Sequence, residues 1–340
     1  MSGSGGRPRG VPGGIGLDVK PYVEFLTREY LGNYIRSGGA AVRFVVPGDP
    51  EVNDRWHQGI GAAATGGRYL CVAVDAADTK VHLIHELFRA VSRQVPWADL
   101  AGAAVRQAYA GLDFPVTRDD ALAVTKVAKR YGVHPGELHR SLRRRLELDT
   151  LGEPALAPQF RVAMLRLCQA EIGAEVTRAE TKTVLSWLAG EPVPVTQLRH
   201  LLLTDRIARH NGRAMLLSLS SWLARHGYAG LVLDLDLQRL QQRRPTALAD
   251  RIGVYYTRSM VLDAYEVLRQ LVDATDDLRF ALITVSLPVE LVTDASRGLP
   301  AYSALHQRVA DEVRDRRRAN PFASLVRLEV RVEATGEGLR

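Results

Sequence analysis

Apolar residues gather in five short runs along the chain: AVRFVV from Ala41, YLCVAVD from Tyr69, GLVLDLD from Gly230, FALITVS from Phe280 and SLVRLEVRV from Ser324. The first four are nearly continuous, the pattern of strands covered on both faces. The fifth alternates, with Val326, Leu328, Val330 and Val332 on one face and Arg327, Glu329 and Arg331 on the other, which predicts an edge strand. Between these runs the period lengthens. In RSMVLDAYEVLRQLVDATDD the positions Met260, Val261, Ala264, Val267, Leu268, Leu271 and Val272 fall on one helical stripe, leaving Asp263, Glu266 and Gln270 outside it. Tyr302, Leu305, Val309 and Val313 predict a similar helix.

Strands alternating with helices predict a three-layer α/β fold with a parallel sheet. From about Thr117 to Leu198 the patterns are helical and no strand interrupts them. YLCVAVD and GLVLDLD are also too far apart for an ordinary crossover. The pattern therefore divides the chain into a tail (residues 1–20), the first half of an α/β core (21–116), a helical insertion (117–198) and the second half of the core (199–340). No internal repeat is visible.

Composition narrows the setting more than the chemistry. The 340 residues carry a formal net charge of +7, and only Lys20, Lys80, Lys126, Lys129 and Lys182 among the 45 basic residues are lysines, leaving 40 arginines. Arginine forks suit phosphate and carboxylate recognition, although a GC-rich genome produces the same bias. Cys71 and Cys168, both in apolar surroundings, exclude a disulfide framework and a CxxC metal site. The expected setting is reducing and cytoplasmic. No apolar run is long enough to span a bilayer, and MSGSGGRPRGVPGGIG lacks the apolar core of a signal peptide and reads as a flexible tail.

The stretch VRFVVPGDPEVNDRW raises the question of a nucleotide. A phosphate loop of the form G-x-x-x-x-G-K-[ST] surrounds phosphates with backbone N–H groups, neutralises them with lysine and ligates magnesium through its hydroxyl. Laid on Gly48, that spacing puts Asn53 at the second glycine, Asp54 at the lysine and Arg55 at the hydroxyl. Pro50 has no N–H to donate, and Asp54 adds an anion where phosphates would sit. Exchanging a cation for an anion a few ångströms from phosphate costs on the order of several kcal/mol. Ordinary ATP binding is therefore disfavoured, and ATP with magnesium remains a cofactor only if the loop is re-registered around Arg55. In GLVLDLDLQRL the strand ends at Asp236, where a magnesium-binding acid belongs, but the next residue is Leu237 and the catalytic glutamate is missing. Asp234 and Asp236 can equally face a solvated loop or pair with an arginine.

The sequence resembles the ATP-binding proteins of BREX-type phage-defence systems, a P-loop group related to the AAA+ ATPases. The resemblance runs through HNGRAMLLSLSSWLARHGYAGLVLDLD, YYTRSMVLDAYEVLRQLVDATDD and RGLPAYSALHQRVADEVRDRRRANPFASLVRL. In the first half it takes in YVEFLTREYLGNYIRSGGAAVRFVV and VAVDAADTKVHLIHELFRAV. It implies an ASCE-type parallel sheet with an ATP-binding loop at residues 48–55 and the acidic strand end at Asp236. Thr284 falls at a sensor position, and Arg297 and Arg308 in a segment that approaches nucleotide or a neighbouring subunit. On a helix, Arg308 can instead pair with Asp311 and Glu312, as Arg314 and Arg318 can, and Arg297 can be a turn residue beside Gly298. With both the phosphate loop and the catalytic acid changed, the chain looks like a degenerate member. Other defence-system proteins, including an active ATPase paralogue, are the partners this implies.

The insertion offers a second chemistry. In DDALAVTKVAKRYGVHPGELHRSLRRRLELD a helix with Leu122, Val124, Val127 and Ala128 is broken by GVHPG, and a second carries Leu138, Leu142 and Leu146 beside Arg140, Arg143, Arg144 and Arg145. That is the outline of a helix-turn-helix. In a DNA groove, Arg143 and Arg144 would make the phosphate or base contacts. His82, His85 and Glu86 do not form HExxH and read as packing and surface residues. His134 and His139 read as caps or surface groups, and Ser218, Ser220 and Ser221 lack the elbow of a hydrolase. No metal site is expected. The leading expectation is a non-hydrolysing regulatory or scaffolding subunit. The alternatives are an ATPase using Arg55 and Asp236, and a DNA-binding module built on the insertion.

Overall fold

The computed structural model describes residues 16–173, 176–310 and 320–329. Strand β1 (Leu17–Asp18) leads directly into α1 (Val19–Leu26), which continues as a π-helical stretch, Thr27–Tyr34. Strand β1 and the start of α1 thus fall within residues 1–20, which the sequence assigned to a tail. Next come β2 (Ala40–Pro47), α2 (Pro50–Gly66) and β3 (Leu70–Asp75). Eight helices follow before the sheet resumes: α3 (Ile84–Ser92), α4 (Trp97–Ala110), α5 (Val124–Tyr131), α6 (Pro135–Leu151), α7 (Pro158–Glu171), α8 (Arg178–Leu188), α9 (Val195–His200) and α10 (Gly212–Arg225). The chain then forms β4 (Leu231–Asp236), α11 (Arg258–Asp273), β5 (Ala281–Ser286), α12 (Val289–Thr293), α13 (Ser303–Val309) and β6 (Leu325–Glu329).

The six strands form one parallel sheet in the order β1-β6-β2-β5-β4-β3. From β2 the chain crosses to β3 at the far edge, whereas from β5 it crosses back over β2 to β6. The two directions part between β2 and β5, and the crevice at the carboxyl ends there is where open α/β sheets bind ligands.

Alternation along the strands supplies two buried faces. Val45, Val232, Leu282, Val326 and Leu328 pack under α1, the π-helical stretch and α2, whose stripe Val52, Trp56, Ile60 and Ala64 is buried. Phe44, Val72, Val74, Leu233, Ile283 and Val285 face α3, α10 and α11, and this core runs on without a break into α4–α8. Helix α11 buries the predicted stripe, with Met260 and Val272 only half-buried and Tyr265 added.

Both edges differ from expectation. Strand β6 lies one place in from the edge, flanked by two-residue β1 through Leu17↔Leu328 and Asp18↔Glu329. Its alternation reflects apolar cover on one face only: Val326 and Leu328 are buried, while Arg327 pairs with Glu329 at 3.0 Å on the other. Val330, Arg331, Val332 and Val313 lie outside the described residues. The edge is instead β3, whose nearly continuous run leaves Ala73 exposed, with the Ala73 carbonyl covered by Gln94 Nε2 at 2.8 Å. At the start of β4, Gly230 has φ +149° and a Cβ there would lie 2.1 Å from the Phe280 oxygen. Only glycine fits so close an approach.

Candidate functional site

The crevice is built where β2 ends and α2 begins, and the turn between them is short. Only Gly48 and Asp49 separate the strand from the helix, so residues 50–55 are helical and the expected phosphate loop does not exist as a loop. The local chemistry explains why the helix starts so early. Asp49 is an N-cap whose carboxylate accepts from Val52 N at 2.9 Å, and Pro50 at the first helical position has its φ preset for a helix. The Gly48 N–H is committed to Leu328 O across to β6 at 3.0 Å.

These commitments leave little for a phosphate. Pro50 donates nothing, the Val52 N–H is taken, and exposed carboxylates stand at the cap (Asp49), in the first turn (Glu51) and just after it (Asp54). Such a helix start repels anions instead of attracting them. Arg55, the re-registered cation, forms an exposed i,i+4 pair with Glu51 at 2.6 Å.

Below the turn, α2 and the sheet enclose a polar network. On β4 and β5 the residues facing α2 are Val232, Asp234 and Asp236, and Leu282, Thr284 and Ser286, with Asp236 in register with Ser286 and with Asp75 of β3. One helical turn apart on α2, Asn53 and His57 project toward them. His57 Nδ1 lies 2.5 Å from Asp234 Oδ2, and its Nε2 lies 3.2 Å from Asp236 Oδ2. Asn53 donates through Nδ2 to the same Asp236 oxygen at 2.9 Å and accepts through Oδ1 from Ser286 Oγ at 2.5 Å. Thr284 Oγ donates to Asp234 Oδ1 at 2.7 Å, Gln238 N to Asp236 Oδ1 at 2.8 Å, and Gln238 Nε2 to Ser286 Oγ at 3.1 Å.

With a carboxylate on each ring nitrogen, His57 can donate to both only as imidazolium. Burial opposes that charge, but the hydrogen bonds and field of Asp234 and Asp236 outweigh it and push His57 up to about 10. Burial would raise Asp236, yet His57, the Gln238 N–H and Asn53 hold it below the usual carboxylate range. Burial raises Asp75, with Asp236 adding to it and the Ala77 N–H opposing.

Asp234 therefore neither borders a solvated loop nor meets an arginine: it is 2% exposed and bound to a histidine. Asp236, the acid that would hold magnesium, is occupied by His57 and Asn53. Among the described residues no group of three or more His, Cys, Asp or Glu side chains is arranged to hold a metal. The residues present do not fit magnesium–ATP held in the P-loop manner. Thr284 belongs to the network. His57, Ser286 and Gln238 complete it, and sequence reasoning missed them; the one signal was a second polar residue, four after Asn53, beside the buried stripe of α2.

The two candidate arginines lie elsewhere. Arg297 is half-buried and its Nη2 ties Leu240 O (2.8 Å) to Tyr256 O (3.0 Å). Arg308 grips Asp273 through Nε and through Nη2 at 3.1 Å. Asp273 ends α11, eight residues before β5 starts, so this pair sits at the amino edge of the sheet, opposite the crevice. Asp311, Glu312, Arg314 and Arg318 lie outside the described residues.

In the insertion, α5 and α6 are joined by residues 132–134, with Gly132 left-handed at φ +66° and His134 capping α6 through Gly136 N at 3.2 Å. Arg140, Arg143, Arg144 and Arg145 are exposed. Arg143 is drawn to Glu147 at 2.9 Å and Arg145 to Asp149 at 2.7 Å.

A family model described as BREX system ATP-binding protein BrxC/D matches residues 136–333. The match takes in α6, β4, β5 and β6, and so the acidic half of the network, while Asn53 and His57 lie before it. No curated protein and no solved structure matches the chain.

Proposed function

The chain belongs to the BREX system ATP-binding protein family BrxC/D, and from that premise we propose that this phage-defence subunit does not hydrolyse ATP and works as a regulatory or scaffolding member of its system. The observation that carries the reading is the His57 bridge. A lysine and a magnesium ion are the cations a phosphate site needs, and here one imidazolium, delivered by α2 from within the fold, takes the carboxylates that would hold the metal. The two-residue turn, Pro50 and the three acidic residues at and near the start of α2, Asp49, Glu51 and Asp54, point the same way. Hydrolysis would then fall to a partner, an active ATPase of the same defence system.

Calorimetric titration of the full chain with ATP and magnesium tests this. The expected result is no binding at about 1 mM ATP, an affinity weaker than about 4 kcal/mol. Binding in the micromolar range that disappears in Asp236→Ala would overturn the reading and restore a working site built around Arg55 and Asp236.

A further inference from the structure

At the carboxyl edge of the sheet, α3 and α10 begin side by side. They are so close that a Cβ on Gly212 would lie 2.9 Å from His85 Cα. Neither start is capped by a side chain. Leu83 precedes α3 and has no polar side chain, and the amide of Asn211 is spent on its own loop, accepting from Ala208 N at 2.8 Å and donating to Arg206 O at 3.1 Å. Two helix starts therefore bring their positive ends together beneath this part of the surface.

The side chains there are of the same sign. Residues 205–213 read DRIARHNGR, three arginines against one aspartate, and Lys80 joins them from the loop before α3. Lys80, Arg206, Arg209 and Arg213 are exposed, and none has an ion pair among the described residues. Glu86, the acid nearest in sequence on α3, is engaged by Arg89 at 2.7 Å. On α6, by contrast, Arg143 and Arg145 are already neutralised by their own helix.

Beneath these cations lie two imidazoles. His82 is only 9% exposed, and its Nδ1, like that of His85, is buried without a hydrogen-bond partner. Burial lowers the pKa of His82, and Arg209 and Lys80 lower it further against Asp263. Burial likewise lowers His85, with Arg89 and Arg209 adding to it and Glu86 opposing. Arg209 is thus near enough to act on both rings, opposed there by Asp263 and Glu86. Guanidinium forks near two helix starts that no side chain caps match the oxygens of phosphate. Four exposed cationic side chains without carboxylate partners suit a polyanion lying across them more than a single small anion.

We propose that this surface binds the phosphate backbone of nucleic acid, with Lys80, Arg206, Arg209 and Arg213 as the contacts at the start of α10. The site is separate from the His57 network, so it stands or falls independently of whether ATP binds. Four phosphate contacts imply a salt dependence of log K near −3.6, roughly a hundredfold loss of affinity between about 50 and 200 mM salt. Fluorescence anisotropy with the full chain and a labelled duplex of about 30 base pairs measures this. Replacing the three arginines together (R206A, R209A, R213A) is expected to weaken binding at least about tenfold and to flatten the slope by roughly 2.7. The matching triple lysine variant is expected to restore most of both, which separates charge from any loss of fold, and R140A with R144A is expected to change neither. The proposal is overturned if the wild type does not bind DNA at low salt, or if the arginine triple binds as the wild type does. Equal competition by polyglutamate would overturn it too, making the surface a contact for acidic protein.

Discussion

Replacing His57 with alanine would leave Asp234 and Asp236 facing each other across a buried space with their shared cation removed. The distance between 6.5 and about 10, at about 1.4 kcal/mol per pH unit, sets an upper bound of about 5 kcal/mol for what the two carboxylates contribute through the imidazolium. The ring is 23% exposed, so solvent trims this, and breaking one partner of a buried pair costs about 3–5 kcal/mol. About 3–4 kcal/mol at pH 7 is the expected loss. Because the native state raises the pKa of His57, its contribution is complete below about pH 6.5 and disappears as pH climbs through about 10. Guanidinium denaturation at several pH values between 6 and 10 reads this directly. The wild type should lose stability relative to His57→Ala as pH rises, at about 1.4 kcal/mol per unit in the middle of that window. His57→Gln keeps one hydrogen bond and loses the charge, and it should show the alanine variant's pH profile at a smaller cost. Parallel pH profiles for wild type and both variants would refute the reasoning, because they would mean that His57 is not charged in the fold.

Two further outcomes follow from the packing. Gly230→Ala should prevent soluble folding or cost more than about 4 kcal/mol, since its Cβ meets the Phe280 oxygen and φ +149° is closed to alanine; wild-type melting behaviour would contradict the close approach. Arg297→Ala should cost about 2–3 kcal/mol through two abandoned carbonyls, whereas Arg308→Ala, losing an exposed pair with Asp273, should cost no more than about 1 kcal/mol. The reverse ranking in thermal melts would show that the roles are misassigned.

The strands were legible because each is a local apolar run, and all five predicted runs fall within one residue of an observed start. The edges were not, because coverage is a tertiary property: YLCVAVD is as apolar as a central strand yet lies at the rim, and SLVRLEV alternates yet lies inside it. That Asp54 and Leu237 stand where the motif spacing would put a lysine and a glutamate is readable from the sequence alone. The His57 bridge is not, since His57 meets Asp234 across 177 positions of sequence and only the sheet order brings them together. The loop was misjudged for a local reason, the Asp49 cap and Pro50, which start α2 before a phosphate loop has room to form.

The sheet order also dictates when the protein can assemble. Strand β2 is complete at residue 47, but its neighbours β5 and β6 begin at residues 281 and 325, and β3 waits for β4 at residue 231. At about 5–20 residues per second of synthesis, β2 spends on the order of 10–50 s without a partner strand. The eight helices between β3 and β4 pack largely on one another, with α10 reaching back to α3, and can consolidate during that interval. A nascent chain would thus carry a helical body and two unpaired apolar strands until its last third emerges. That interval, before β5 inserts between β2 and β4, is when it is most exposed to aggregation and most dependent on holding factors in the cell.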